Sequence, residues 1–282
     1  MSDHATQSDA DYCADLVRKA DFDRYATTLF APVEHRDGLL ALYAFNVEIA
    51  GVRDHVTQPL AGEIRLQWWD DLLSGKPGNE AAGHPVAMQL FKAVKTYRLS
   101  ANGLSELIAA HRFDLYDEPM QTVSEMEGYI DQTAARLFWL SARILGERSP
   151  LLDALAHHAG LAYGITALLA ALPAHAARRQ LYLSAELLNR FGAKSEDVLA
   201  GRASQELRDA VRSLGLQAGR HLTEAMALLP DLAPPARSSF LLLALVRLRL
   251  RYLEKYGFDP FKPKPSSRLQ RLWTMWRASR TL

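Results

Sequence analysis

The sequence predicts an all-α fold, and three observations support that prediction. Apolar residues recur at helical spacing along almost the whole chain, as at Leu39, Tyr43 and Val47. Long stretches of alternating polar and apolar residues, which are typical of β-strands, are absent. Proline and glycine interrupt the helical pattern at short intervals, which indicates about ten helices of roughly 12–25 residues each. We therefore expect one compact helical domain.

The chain is expected to have three parts. Residues 1–19 form a polar N-terminal segment with a first helix, residues 20–258 form the helical domain, and residues 259–282 form a basic, tryptophan-containing tail helix. The predicted helix boundaries fall at Pro32, Pro59, residues 75–78, Pro85, residues 100–103, Pro119, residues 146–150, Pro173, and the pair Pro234 and Pro235. No long linker, repeat or low-complexity stretch interrupts them.

The most apolar segment runs from residue 151 to residue 172 and is long enough for a membrane-spanning helix. It carries Asp153, His157 and His158 near its start, which favours a buried core helix over a membrane span. Pro173 is predicted to end it.

Composition excludes several classes of protein. The 33 Lys and Arg residues almost balance the 32 Asp and Glu residues, which argues against a whole-surface nucleic-acid binder. With 49% apolar and 23% charged residues, the 282-residue chain has the composition of an ordered globular protein. Cys13 is the one cysteine, so neither an internal disulfide nor a cysteine-based zinc site is expected.

The first seventeen residues hold four aspartates and no Lys or Arg. A secretory signal or an organelle transit peptide would show the opposite charge pattern. We therefore expect a cytoplasmic protein without a signal or transit peptide.

The tail differs in character, because residues 262–282 hold six Lys or Arg residues and no acidic residue. Leu269, Leu272, Trp273 and Trp276 are expected to share one helical face. The predicted contact residues for an anionic membrane surface or an acidic partner are Arg268, Arg271, Trp273, Trp276 and Arg277. The alternative is that the tryptophan face docks on the rest of the protein.

Few side chains have the spacing of a catalytic or metal site. Asp114, Asp117 and Glu118 could share a helix face as Mg²⁺ ligands, but a second facing acidic pair is missing. A cluster that is solvated or caps a helix end is the preferred interpretation. His157 and His158 are sequence neighbours, so no metal site is predicted from them. The pair Arg178 and Arg179 could bind a phosphate or could lie in a solvated turn.

Six segments, taken in order, resemble the squalene/phytoene synthase family. They are LYAFNVEIAGVRDHV (42–56), IRLQWWDDLLSG (64–75), HPVAMQLFKAVKTYRLS (84–100), FDLYDE (113–118), EMEGYIDQTAARLFWLSARILG (125–146) and LAYGITALLAALPAHAARRQLYLSAELLNRFG (161–192). The resemblance covers roughly residues 20–255. It implies the isoprenoid synthase fold, in which two aspartate-rich motifs hold Mg²⁺ and two prenyl diphosphates around an apolar cavity.

The chain departs from the family at both motifs. Where active members carry an arrangement like DDxxD, residues 50–54 read AGVRD, so only Asp54 keeps its carboxylate. Where they carry an arrangement like NxxRDxxED, residues 167–175 read ALLAALPAH and hold no acidic residue. Because alanine cannot coordinate Mg²⁺, the resemblance implies a fold that has lost diphosphate chemistry. Neither a metal nor another cofactor is expected.

The same departures resemble a non-catalytic subgroup that includes a mitochondrial assembly factor of respiratory complex I. The resemblance implies a role in binding a complex I subunit or assembly intermediate at the inner face of an energy-converting membrane, with an isoprenoid or other lipid as a further candidate ligand. Candidate ligand-binding residues are Tyr43, Arg53, Arg65, Arg178, Arg179 and Tyr182. No nucleic acid is expected as a partner.

Two alternatives remain open. The first is a prenyl diphosphate transferase with a rebuilt, Mg²⁺-dependent site, for which Asp54, Asp114 and Asp117 are the candidate catalytic residues. The second is a peripheral membrane-binding module that acts mainly through the tail.

Overall fold

A computed structural model describes residues 8–75, 83–262 and 266–281. In these ranges the chain forms fifteen α-helical segments joined by turns and short 3₁₀ or π segments, and no β-strand. The predicted all-α fold class is confirmed. More segments occur than the sequence indicated, because four of them have seven residues or fewer and are too short to show a helical period.

The chain divides into two compact units. Unit 1 contains the described residues of 1–115, 140–148 and 234–239, and unit 2 contains those of 116–139, 149–233 and 240–282. The helices of unit 1 are α1 (Asp9–Ala20), α2 (Phe22–Thr28), α3 (Val33–Ala50), α4 (Pro59–Leu73), α5 (Pro85–Tyr97), α6 (Ala101–His111) and α13 (Pro234–Arg237). The helices of unit 2 are α7 (Val123–Ile130), α9 (Leu151–Ala177), α10 (Ala185–Phe191), α11 (Ser195–Leu199), α12 (Gln205–Leu228), α14 (Leu243–Lys255) and α15 (Arg268–Ser279), while α8 (Arg136–Ile144) has residues in both units.

Three helices of unit 1 begin at the residues that the sequence indicated. Pro59 and Pro85 are the first residues of α4 and α5, where the missing proline N–H costs no helical hydrogen bond. Ser100 caps α6 by accepting a hydrogen bond from the Gly103 N–H at 3.2 Å. Pro173 is different: α9 continues through it to Ala177, so the predicted break there was wrong. Pro173 is exposed and one turn from the helix end, so it removes only one backbone hydrogen bond.

The core of unit 1 is built around α3, which packs against α1 and α5. Leu42 and Phe45 on α3 are completely buried, and Cys13 on α1 is also buried. Burial raises the pKa of the Cys13 thiol to about 12, so it stays protonated and unreactive at neutral pH.

The core of unit 2 is built around α9 and α12, which form its most extensive helix pair. α9 is the one described helix with the length and apolarity to cross a membrane, and 67% of its most apolar stretch is buried. Next to it, the π-helical segment Asp131–Ala135 follows α7. Gly160 on α9 lies directly against Ala135 of this segment, so the two backbones approach closely.

Candidate functional site

Residues 50–54, which the resemblance aligns with the first aspartate-rich motif, form the end of α3 and the turn after it. Ala50 is the last residue of α3, and the Gly51 N–H donates a hydrogen bond to the Val47 carbonyl at 3.0 Å. Residues 52–55 then form a 3₁₀ turn in which Val52 is buried and Asp54 is exposed. The one carboxylate kept in this segment therefore lies at the surface of unit 1.

A cavity of about 440 Å³ lies beside this turn. It is lined by Glu48, Val52, Ile64, Arg65, Trp68, Trp69 and His84. These residues come from α3, the turn, α4 and the residue before α5, so four sequence segments of unit 1 build one wall. Arg65, one of the predicted ligand-binding residues, lies at this cavity and is exposed.

Aromatic rings hold the wall of the cavity in place. The Trp69 ring centroid lies 5.0 Å from that of Phe45 and 4.9 Å from that of Trp68, both in edge-on geometry. The His84 ring lies 5.2 Å from Trp68. Such edge-on pairs favour a fixed ring arrangement. A rigid aromatic wall with a few charged groups suits an apolar ligand that has one polar end.

Glu48 and His84 form a polar pair at the cavity, with His84 Nε2 3.4 Å from Glu48 Oε2, and the pair is ionic when His84 is protonated. The hydrogen bond to Glu48 raises the pKa of His84 above its ordinary value of 6.5, against the opposing effect of burial. The pair gives the cavity a titratable polar partner for a ligand group.

We expect the substitution Glu48→Gln to lower the pKa of His84, because it removes the main group that favours the charged imidazole. Since the folded pKa is raised, the pair stabilises the wild-type fold fully below about pH 6.5, and this contribution is lost as the pH rises through the folded pKa. An NMR titration of the His84 ring measures the difference. Glu196→Gln, at an exposed site on α11, is the control, and equal His84 pKa values in wild type and Glu48→Gln would contradict the pairing.

The candidate catalytic carboxylates have different surroundings. Asp114 lies in the 3₁₀ turn Phe113–Leu115, which packs against the turn that carries Asp54. Asp114 is buried, and its Oδ2 lies 2.7 Å from Nδ1 of the buried His111. Asp117 belongs to unit 2 and is exposed. The structure thus places Asp54 and Asp114 on adjacent turns of unit 1, with Asp114 engaged by an imidazole.

Two further acidic residues of unit 1 form ion pairs with one arginine. The Arg112 guanidinium binds the Glu63 carboxylate and lies 3.1 Å from Asp70 Oδ2. Its Nη2 also donates to the Gln67 side chain at 3.1 Å. These carboxylates serve as ion-pair partners that join α4 to the end of α6.

Tyr43 lies in the core of unit 1 with 2% of its surface exposed. Burial raises the pKa of its hydroxyl, while hydrogen bonding to Ser141 opposes that shift. Arg53 is half-buried on the turn after α3. The roles of these two residues as ligand contacts stay predictions.

Residues 167–175, which the resemblance aligns with the second aspartate-rich motif, lie in the C-terminal part of α9 in unit 2. Leu169 and Leu172 are buried, and the His175 ring lies 4.5 Å from that of Tyr182. Arg178 and Arg179 follow directly after the helix and are exposed. Cations are favoured at a helix C-terminus, so this arginine pair fits its position with or without an anionic ligand.

Three histidines of unit 2 lie together, although sequence spacing did not predict it. His157 and His158 on α9 meet His221 on α12, 63 residues further along the chain from His158. Burial lowers the pKa of His158 and His221, and the neighbouring imidazoles lower it further. The sequence signal was the adjacent histidine pair, but its third member could be found only from the packing of α9 on α12.

The tail helix α15 docks on α14 and leaves its tryptophans exposed. Met275 is completely buried, and the Gln270 side chain hydrogen-bonds the Tyr252 hydroxyl at 3.0 Å. Trp273 and Trp276 stack at 4.8 Å between ring centroids and are 58% and 40% exposed. Leu269 is 79% exposed, whereas Leu272 is half-buried. The two tryptophan side chains are therefore partly exposed to solvent and are not buried in the core.

A cavity of about 350 Å³ lies between α14, α15 and the end of α12. Its basic lining residues are Arg247, Arg251 and Arg277, and its apolar lining includes Phe240 and Trp273. A cavity lined by three arginines and by apolar side chains is suited to an anionic head group that carries an apolar chain.

The fold and these sites define an all-α protein of the isoprenoid synthase type. Residues 17–277 match the family described as squalene/phytoene synthase, and the chain belongs to this family. It is 33% identical over 256 residues to the NADH dehydrogenase (ubiquinone) complex I, assembly factor 6, of Bos taurus, a match that covers 89% of this chain and 76% of the relative.

Solved structures share the fold at lower identity. The squalene synthase HpnC of Alicyclobacillus acidocaldarius superimposes with a TM-score of 0.78 at 21% identity, covering 90% of this chain and 95% of that chain. A dehydrosqualene synthase in complex with ligand superimposes with a TM-score of 0.82 at 19% identity, covering 97% of each chain. At these identities the likeness concerns the fold alone.

Proposed function

We propose that this chain is a non-catalytic member of the squalene/phytoene synthase family that supports the assembly of respiratory complex I. The observation that carries the proposal is the 33% identity over 89% of the chain to a complex I assembly factor. The proposed partner is a subunit or an assembly intermediate of the complex. The chain would bind it on the cytoplasmic side of the energy-converting membrane.

The residues at the two motif positions support a non-catalytic role. Ionisation of an allylic diphosphate needs several divalent-metal ligands, since the leaving group carries a high negative charge. Residues 50–54 keep one carboxylate, residues 167–175 keep none, and Asp114 is buried against His111. The aromatic cavity beside α3 is then proposed to hold an isoprenoid or other lipid as a bound ligand that is not converted.

The test measures complex I assembly and prenyl transferase activity for two proteins, the wild type and Asp54→Asn/Asp117→Asn. In cells that lack this chain, we expect the amount of assembled complex I to fall, and the wild type and Asp54→Asn/Asp117→Asn to restore it equally. Both substituted carboxylates are exposed, so the double variant is expected to fold normally. Native gel electrophoresis and NADH:ubiquinone oxidoreductase activity of the membranes are the measurements.

The same two purified proteins are incubated with farnesyl diphosphate and Mg²⁺. We expect no release of inorganic diphosphate from either protein. Release by the wild type that the double substitution abolishes would instead support the alternative of a prenyl transferase. Normal complex I in cells without the chain would overturn the assembly role.

A specific observation also favours attachment to a membrane surface. We infer that α15 binds an anionic membrane through Leu269, Trp273 and Trp276, because these side chains are exposed on a basic helix. The arginine-lined cavity next to α15 supports contact with a lipid phosphate. Such attachment would hold the chain at the surface where a membrane complex is built.

A further inference from the structure

The three histidines of unit 2 form a compact cluster with a shared centre. His158 Nδ1 lies 2.9 Å from His221 Nδ1, and the His157 ring centroid lies 5.3 Å and 5.9 Å from those of His158 and His221. One ring nitrogen from each residue lies within 4.8 Å of those of the other two. In a tetrahedral zinc site with Zn–N bonds of about 2.1 Å, ligand nitrogens are roughly 3.4 Å apart, so small side-chain rotations suffice.

A carboxylate already orients the first of these imidazoles. Asp131 Oδ1 lies 2.8 Å from His157 Nδ1, which leaves His157 Nε2 for a ligand. A histidine that binds a metal through one ring nitrogen commonly donates the other N–H to a carboxylate, which fixes its tautomer and its orientation. The π-helical segment that carries Asp131 is held against α9 by the close contact at Gly160.

The first imidazole is open to solvent on the side that faces Asp131. A cavity of about 240 Å³ opens beside His157 and is also lined by Asp131, Trp139 and Asp153. Trp139 Nε1 donates a hydrogen bond to Asp153 at 2.7 Å, which fixes that side of the cavity. A metal with three protein ligands keeps an open position for water. The cavity touches His157 but neither His158 nor His221, so it brings solvent to the first imidazole only.

We propose that His157, His158 and His221 bind one borderline divalent cation of the Zn²⁺ class. Asp131 acts as a positioning residue on His157, and water completes the coordination. Imidazole ligands favour zinc, copper and nickel over Mg²⁺, which prefers oxygen. The site lies on α9 and α12 and uses none of the residues at the two aspartate-rich positions, so it is independent of the proposed assembly role.

The proposal is tested on the full chain carrying no polyhistidine tag, after dialysis against a chelator. Zn²⁺ is titrated in competition with a chromophoric chelator, and Co²⁺ is added as a spectroscopic probe. We expect one Zn²⁺ per chain, visible absorption bands of tetrahedral Co²⁺, and a higher Tm in the presence of Zn²⁺.

The variants assign the ligands. We expect His221→Gln to weaken zinc binding by about 100-fold or more, and Asp131→Asn to weaken it by about tenfold. His55→Gln replaces an exposed histidine of unit 1 and is the control with unchanged affinity. His157→Gln, at an exposed position, gives the same answer if His221→Gln does not fold.

Two results would overturn the proposal. The first is a wild-type protein that takes up no zinc, in which case the contact between His158 and His221 is an ordinary hydrogen bond. The second is zinc binding that His157→Gln and His221→Gln leave unchanged, since the metal would then lie elsewhere.

Discussion

Gly160→Ala is expected to destabilise the protein by about 3 kcal/mol, because the added methyl group has no space. An ideal Cβ at position 160 would lie 2.5 Å from Ala135 Cα and 2.6 Å from Ala135 N. These are backbone atoms of the π-helical segment, so no side-chain rotation relieves the overlap. Urea denaturation followed by circular dichroism measures the change as a lower midpoint.

Gly128→Ala is the matched control for this substitution. Gly128 lies in α7, and a Cβ built on it would meet no atom within 4 Å. Alanine is the better helix former by about 1 kcal/mol, so this variant is expected to be as stable as the wild type or more stable. If Gly160→Ala left the urea midpoint as high as Gly128→Ala does, that result would contradict the close approach of α9 to the π-helical segment.

The Gly160 contact also links stability to the proposed metal site. Asp131 is the first residue of the segment that packs on Gly160. Its carboxylate is hydrogen-bonded to His157, which precedes Gly160 by three residues on α9. A bulkier residue at position 160 would push this segment away from α9. Zinc affinity of the folded Gly160→Ala protein is therefore expected to fall together with stability.

Trp273→Ser/Trp276→Ser is expected to weaken binding to anionic phospholipid vesicles by at least about tenfold, which corresponds to about 1.4 kcal/mol. Both rings are exposed, so the substitution removes interfacial contact area while leaving the buried Met275 in place. The arginines of α15 should make the wild-type binding weaker at higher salt. Co-sedimentation with vesicles of mixed neutral and anionic lipid measures both effects.

Leu216→Ser provides the control for lost apolar surface. Leu216 is 60% exposed on α12, outside α15. We expect its substitution to leave vesicle binding unchanged. Equal binding by the wild type and the double tryptophan variant would show that α15 is not the membrane contact.

Much of the fold could be predicted from the sequence because its signals are local. Helical spacing of apolar residues, Pro59 and Pro85 at helix starts, and Ser100 as a cap all depend on residues within a few positions of each other. The predicted helix end at Pro173 was wrong, because a proline one turn from the end of a helix removes only one hydrogen bond and is tolerated there.

The candidate sites were predictable only in part. The sequence itself shows that residues 50–54 hold one carboxylate and residues 167–175 hold none, and that the tail is basic. The cavity beside α3 was not predictable, since it needs Glu48, Trp68 and His84 from three separate segments. The contact between His111 and Asp114 spans only three residues, but the burial of both side chains depends on packing that no local pattern indicated.

The sequence by itself determined that this chain has an all-α fold, that residues 50–54 hold one carboxylate and residues 167–175 none, and that residues 262–282 are basic and carry two tryptophans. The tertiary structure alone decided that α15 docks through Met275 and exposes its tryptophans, and that His221 meets His157 and His158. The physical reason is that periodicity within a helix fixes which residues share a face. Which faces meet depends on packing between helices that lie far apart in the chain.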